Sequence, residues 1–101
     1  MGYQVVLSPS ARHDLREIVR YISLDDPTRA SNFGQFLLDQ AKKLAGFPEM
    51  GRVVPEFAEE GLREIVVRVY RVIYRVSHQQ RRVEVLRFWH GARGTPRMTA
   101  P

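Results

Sequence analysis

Glu56, Arg71, Arg75, His90 and Arg93 are the side chains of this sequence whose types together could act on a phosphodiester. Metal-free cleavage of RNA needs a base for the 2′-hydroxyl, cations for the charge developing on phosphorus and an acid for the leaving oxygen. On paper Glu56 is the base, Arg71 and Arg93 are the cations and His90 is the acid, provided that the loop carrying Glu56 folds over the strands carrying the others. Each residue also has a plainer reading. Glu56 follows Pro55 in a loop, where a carboxylate is usually just solvated, and His90 ends a strand after Phe88 and Trp89, where a ring nitrogen often serves a backbone group. Arginine suits binding as well as catalysis, because its planar fork takes phosphate or carboxylate in two parallel hydrogen bonds.

Stronger catalytic signatures are missing. The sequence has no Gly-rich phosphate loop, no HExxH pair, no GxSxG elbow and no CxxC. It has no cysteine, and His13, His78 and His90 are scattered, so neither a metal site nor a cofactor is expected. Tyr74, Phe88 and Trp89 among the arginines suggest base stacking, but aromatic residues alternating along strands more readily pack on helices, here on Phe33, Phe36 and Leu37.

The cations are unevenly distributed. Residues 1–60 carry seven Lys and Arg against nine Asp and Glu, whereas residues 61–101 carry nine Arg against Glu64 and Glu84, within a formal net charge of +5. A basic C-terminal half points to an acidic or polyanionic partner. The longest apolar runs fall far short of a membrane span and no export signal is evident, so a cytoplasmic protein with no membrane partner is expected.

The elements that must position these residues are legible in the spacing. Residues 3–7 form a β-branched and aromatic strand. Ser8-Pro9 then caps a helix whose apolar positions Ala11, Leu15, Ile18 and Ile22 share one stripe. Asp26-Pro27 repeats the cap, and Ala30, Phe33, Leu37, Ala41 and Leu44 carry a second helix over about 27–45. The short connection forces an antiparallel helical hairpin. Residues 47–61, rich in Pro and Gly, read as an irregular connector. Three strands follow, near 63–68, 70–76 and 82–89, with an unmarked tight turn near Val69. The expected fold is α+β, of order β-α-α-β-β-β: the hairpin packs on a mainly antiparallel four-stranded sheet. One domain over 1–95 and a flexible tail over 96–101 are expected, with Leu15, Ile18, Ile22, Phe33, Leu37, Ala41, Val72 and Tyr74 in the core.

Together these residues resemble the RelE/ParE toxin superfamily of plasmid stabilisation toxins. The resemblance rests on Leu7-Ser8-Pro9-Ser10-Ala11-Arg12, Asp14-Leu15, Ile18, Tyr21-Ile22, Phe47-Pro48-Glu49-Met50-Gly51-Arg52, Leu62-Arg63-Glu64, Tyr70-Arg71-Val72-Ile73-Tyr74-Arg75, Val85-Leu86-Arg87 and His90-Gly91-Ala92-Arg93. It implies the toxin of a bacterial type II toxin–antitoxin pair, neutralised by an acidic ParD/RelB-like antitoxin, with operator DNA met only through that antitoxin. RelE-like members cut messenger RNA on the ribosome, and ParE-like members poison DNA gyrase. Arg71 matches an arginine of RelE-type nucleases and Glu56 resembles a loop glutamate of some. However, no Tyr follows Tyr74 and no Lys follows Lys43, while the His90-Gly91-Ala92-Arg93 ending, the 14–22 helix and the 48–52 segment are more similar to ParE. The gyrase reading is therefore preferred, with Arg71, Arg75, His90 and Arg93 as target-binding candidates. The ribosome-dependent endoribonuclease is the alternative, with Glu56, Arg71, His90 and Arg93 catalytic. An inactive paralogue that only binds antitoxin in autoregulation is the third reading.

Overall fold

The computed structural model describes residues 2–99. Ser8 accepts a hydrogen bond from the Ala11 amide at 3.0 Å and sets the start of α1 (Pro9–Ser23) directly after β1 (Gln4–Leu7). Asp26 caps α2 (Pro27–Lys42) in the same way, through the Arg29 amide at 3.0 Å. In both helices the proline at the first turn replaces an amide that has no intrahelical acceptor. Gly34 lets the two helices approach closely, since a Cβ there would lie 2.6 Å from Val19 Cγ2.

The strands β2 (Arg52–Val53), β3 (Arg63–Val67), β4 (Tyr70–Ser77) and β5 (Arg82–His90) complete a five-stranded sheet of order β1-β5-β4-β3-β2. The expected sheet had four strands. The fifth, β2, is a two-residue piece of the segment expected to be irregular, pairing antiparallel with Arg63 and Glu64. All other pairs are antiparallel too, except β1 with β5. The turn between β3 and β4 is Arg68-Val69, with Arg68 in the left-handed region at φ 58°. The Val69 carbonyl accepts from the Gly91 amide at 2.7 Å, and the Arg68 guanidinium lies over the Phe36 ring. These contacts hold a turn that no glycine or asparagine marks.

The helical hairpin covers one face of the sheet. Ile18, Leu37, Ala41, Val72 and Tyr74 are buried there, and Leu15, Ile22 and Phe33 pack half-buried against them. A second cluster, Val54, Leu62, Ile73, Leu86 and Trp89, covers the outer face with Phe57 and Met98 against it. Within the tail expected over 96–101, Pro96 is buried, the Arg97 carbonyl accepts from Arg87 at 2.6 Å, and Met98 packs against the outer cluster. The rest of that tail, Ala100 and Pro101, lies outside the described residues, as does Met1. Along β5 a bulge leaves Leu86 without a β4 partner, because Ile73 pairs with Arg87 and Tyr74 with Val85. Among the described residues no helix is long and apolar enough to cross a membrane.

Candidate functional site

Arg71 projects from β4 on the outer face, and every nitrogen of its guanidinium is engaged. Nη1 and Nη2 donate to the two Glu56 oxygens at 2.9 and 2.8 Å, and Nε donates to Glu64 Oε1 at 2.6 Å. The other Glu64 oxygen accepts from Arg52 Nε at 2.7 Å. Register explains the convergence. Val66 pairs with Arg71, so Glu64 lies diagonally beside it on the same face, and β2 brings Arg52 opposite Glu64. Glu56 comes from the 3-10 segment Pro55–Glu60, which bends at Phe57 and folds over the sheet.

The fork fixes the charges. Hydrogen bonding from Arg71 holds the Glu56 carboxyl down at about 2, well below its ordinary 4.5. Bonds from Glu56 and Glu64 raise Arg71 in turn. Its side chain is only 13% exposed.

His90 lies on the opposite side of the sheet. It pairs across strands with Tyr70, whose ring packs among the helix-facing core residues, and the two rings meet edge-on at 5.4 Å. Arg71 pairs with Trp89 on the outer face, so the β-sheet separates Arg71 from His90. His90 Nδ1 accepts from the Ala92 amide at 3.0 Å, which places the proton of the neutral ring on Nε2. His90, Arg93, His13, Tyr21 and Tyr70 share a groove of about 500 Å³ between α1 and the end of β5. Burial, followed by the neighbouring Tyr21, raises the Tyr70 phenol. Arg93 stacks on Trp89, its guanidinium carbon 3.9 Å from the ring centroid. Arg75 stands apart from both groups, opposite Glu84 and in a shallow depression with Ser77, Gln80 and Arg82. The structure thus joins Glu56 to Arg71, places His90 near Arg93, and does not bring the five residues to one site.

Residues 5–94 match the family described as ParE toxin of type II toxin–antitoxin system, parDE. The chain belongs to the ParE toxin family. The ParE fold recurs in two solved structures. A chain of the toxin–antitoxin complex RelBE2 from Mycobacterium tuberculosis superposes with a TM-score of 0.68 at 23% identity, over 89% of this chain and 99% of that one. A chain of the chromosomal ParDE toxin–antitoxin system from P. aeruginosa gives 0.70 at 22% identity, over 87% and 95%. Among curated proteins no sequence matches.

Sequence reasoning on this ParE-family chain gave Asp14 and Arg87 a place in the resemblance but no sign that they pair. Arg87 is buried and donates to Asp14 through Nε at 2.6 Å and Nη2 at 2.7 Å, and Asp14 also accepts from the Phe88 amide at 3.1 Å. β1 pairs only with residues 82–85, so this carboxylate satisfies the strand edge that β1 leaves uncovered. Glu64 and Arg52 likewise stood in the resemblance without a place at the Arg71 cluster; the signal was the alternation in Arg63 to Val67, which puts Glu64 on the face of Arg71. Among the described residues no group of three His, Asp or Glu could hold a metal ion.

Proposed function

We propose that this ParE-family toxin poisons DNA gyrase by contact rather than by proton-transfer chemistry, and that an acidic antitoxin silences it. The carrying observation is the closed fork of Arg71 between Glu56 and Glu64. A general base works best with a pKa near the operating pH, and a carboxyl held at about 2 is far from that. A guanidinium with all its nitrogens on carboxylates has no fork to offer a scissile phosphate. The sheet also separates this pair from His90, the acid of the paper scheme. What remains accessible is binding surface: the His90–Arg93 groove and the Arg75 depression. Family membership supports the same choice, since the resemblance read from the sequence attaches gyrase to ParE-like members.

The basic C-terminal half suits an acidic partner segment that folds as it binds, a mode that buries on the order of 1,000–3,000 Å². Operator DNA is then met through the antitoxin. Purified toxin in two assays tests the reading: DNA supercoiling by gyrase with detection of trapped DNA breaks, and translating ribosomes with mapping of messenger RNA ends. Gyrase-linked breaks with intact RNA are expected. His90→Ala or Arg93→Ala should weaken gyrase inhibition, whereas Glu56→Gln should leave it within about twofold, because removal of an acid or base costs about 10²–10⁴ only where a proton is transferred. Cuts in ribosome-bound RNA with gyrase unaffected would overturn the reading.

A further inference from the structure

The groove between α1 and the end of β5 is lined by hydrogen-bond donors that have no acceptors. His90 Nδ1 accepts from the Ala92 amide, so the neutral ring carries its proton on Nε2, and that nitrogen meets no partner among the described residues. The Arg93 guanidinium lies on the Trp89 ring and forms no ion pair among the described residues. The Tyr70 hydroxyl has no partner there either. Every fully buried polar side-chain atom of the described residues does have one, so this hydroxyl must open to solvent. Burial raises the phenol, which keeps it a donor at neutral pH.

The chain around these groups is fixed before any ligand arrives. His90 caps the 3-10 turn Gly91–Arg93, the Gly91 amide donates to the Val69 carbonyl at 2.7 Å, and Trp89 Nε1 donates to the Gly94 carbonyl at 3.1 Å. The groove's own carboxylates are engaged elsewhere: Asp14 binds Arg87 through both oxygens, and Glu17 lies 3.8 Å from Arg20. Fixed donors without acceptors fit an oxyanion. Beside them stands an aromatic face. Tyr74, Phe88 and Trp89 are buried, but Tyr21 lines this groove and is 77% exposed. A carboxylate side chain has no flat face to lay on that ring, whereas a nucleotide carries a base next to its phosphate. The groove's volume, about 500 Å³, lies within the roughly 300–1,000 Å³ of ordinary ligand clefts.

We propose that this groove binds single-stranded DNA at the break that gyrase holds open, with a phosphodiester on His90 Nε2, Arg93 and the Tyr70 hydroxyl and the adjoining unpaired base on the Tyr21 ring. The toxin then keeps the break open by holding the strand rather than by gripping the enzyme's protein surface. This deepens the gyrase contact given under Proposed function and rests on it.

Fluorescence anisotropy of the purified toxin with a short labelled DNA strand tests the site. The parent should bind the single strand about tenfold more tightly than the duplex of the same sequence, with an affinity that falls steeply as salt rises. Y21A should weaken binding by about 5- to 100-fold and R93A by about tenfold or more. R93K, which keeps the charge and loses the planar fork, should lose severalfold. The K42A/K43A variant, which removes two charges at the far end of α2, should bind as the parent does. A strand with neutral methylphosphonate linkages should not bind, and on an abasic strand Y21A and the parent should be equal. Tyr21 and Arg93 are exposed, and circular dichroism with thermal melting checks that their variants are folded. Equal affinity for strand and duplex overturns the site, as does binding that Y21A and R93A leave unchanged. Equally tight binding to gyrase with and without DNA, lost in R93A, also overturns it and gives the groove to an acidic side chain of the enzyme. If the parent traps gyrase breaks but does not bind the strand, the gyrase reading stands and the DNA site falls. If it binds the strand through Tyr21 and Arg93 and leaves gyrase unaffected, the site stands and the gyrase reading falls.

Discussion

Asp14 serves the helix and the sheet edge at once: one carboxylate binds a buried guanidinium in two parallel hydrogen bonds and caps a strand amide. Removing it leaves Arg87, 2% exposed, with the Arg97 carbonyl and the Trp89 ring as its partners among the described residues. Breaking a buried pair by deleting one partner costs roughly 3–5 kcal/mol, so Asp14→Ala should lower the melting temperature by about 15 °C or more. Asp14→Asn, which keeps an acceptor, should fall between the two. Glu56 makes the complementary case on the outer face. Its carboxyl titrates at about 2 in the folded chain against an ordinary 4.5, so the folded state binds that proton less readily than the unfolded one. The stability it contributes is therefore complete above about pH 5 and is lost as the pH falls through 4.5 towards 2. Acid unfolding followed by tryptophan fluorescence should show a shallower loss of stability over this window in Glu56→Gln than in the parent. Parallel curves would mean that the charge of Glu56 on Arg71 contributes nothing to folding.

At the scale of elements, the helices were legible in the sequence because their signals are local. Each start is written by a side-chain cap followed by proline, and each buried stripe repeats at helical spacing within a single segment. The sheet was legible in its strands but not in its register. A two-residue β2 has no period to detect, and the Leu86 bulge shifts which β5 residues face which layer. That is why Glu56, Arg71 and His90 could be drawn as one site on paper, although the sheet places the first two on one side and the last on the other. It is also why Asp14 and Arg87, 73 positions apart, gave no sign of one another. Gly51 shows how tightly β2 is seated. A Cβ there would lie 2.5 Å from the Glu64 carbonyl oxygen and 2.7 Å from the Tyr74 hydroxyl, which accepts the Gly51 amide at 2.9 Å. Because one of those neighbours is backbone, relief requires β2 to move. Gly51→Ala should cost about 1–3 kcal/mol, read as a lower denaturant midpoint at unchanged slope.

Across the whole molecule, net charge overstates the cationic surface that a partner meets. Of the nine arginines beyond residue 60, Arg63, Arg71 and Arg87 already face carboxylates of the same chain, and only Glu84 and Glu64 oppose the group in that half. The accessible positive field comes instead from arginines that form no ion pair among the described residues, among them Arg68 and Arg93, joined from the helices by Arg12, Arg16 and Arg29. They come from both helices and from the sheet, so their effect on an acidic partner is long-range steering before it is contact. Steering acts on the association rate and fades as the screening length shortens from about 10 Å at 0.1 M salt to about 3 Å at 1 M. Apolar contact, of the kind that the exposed Tyr21 and Val69 offer, is little screened by salt and acts mainly on dissociation. Stopped-flow mixing of toxin with antitoxin should therefore show the association rate falling by about tenfold or more between 0.05 and 0.5 M salt, while the dissociation rate changes by less than about threefold. A salt effect carried mainly by dissociation would instead place the charges inside the interface, with the guanidinia holding the partner more than apolar contact does.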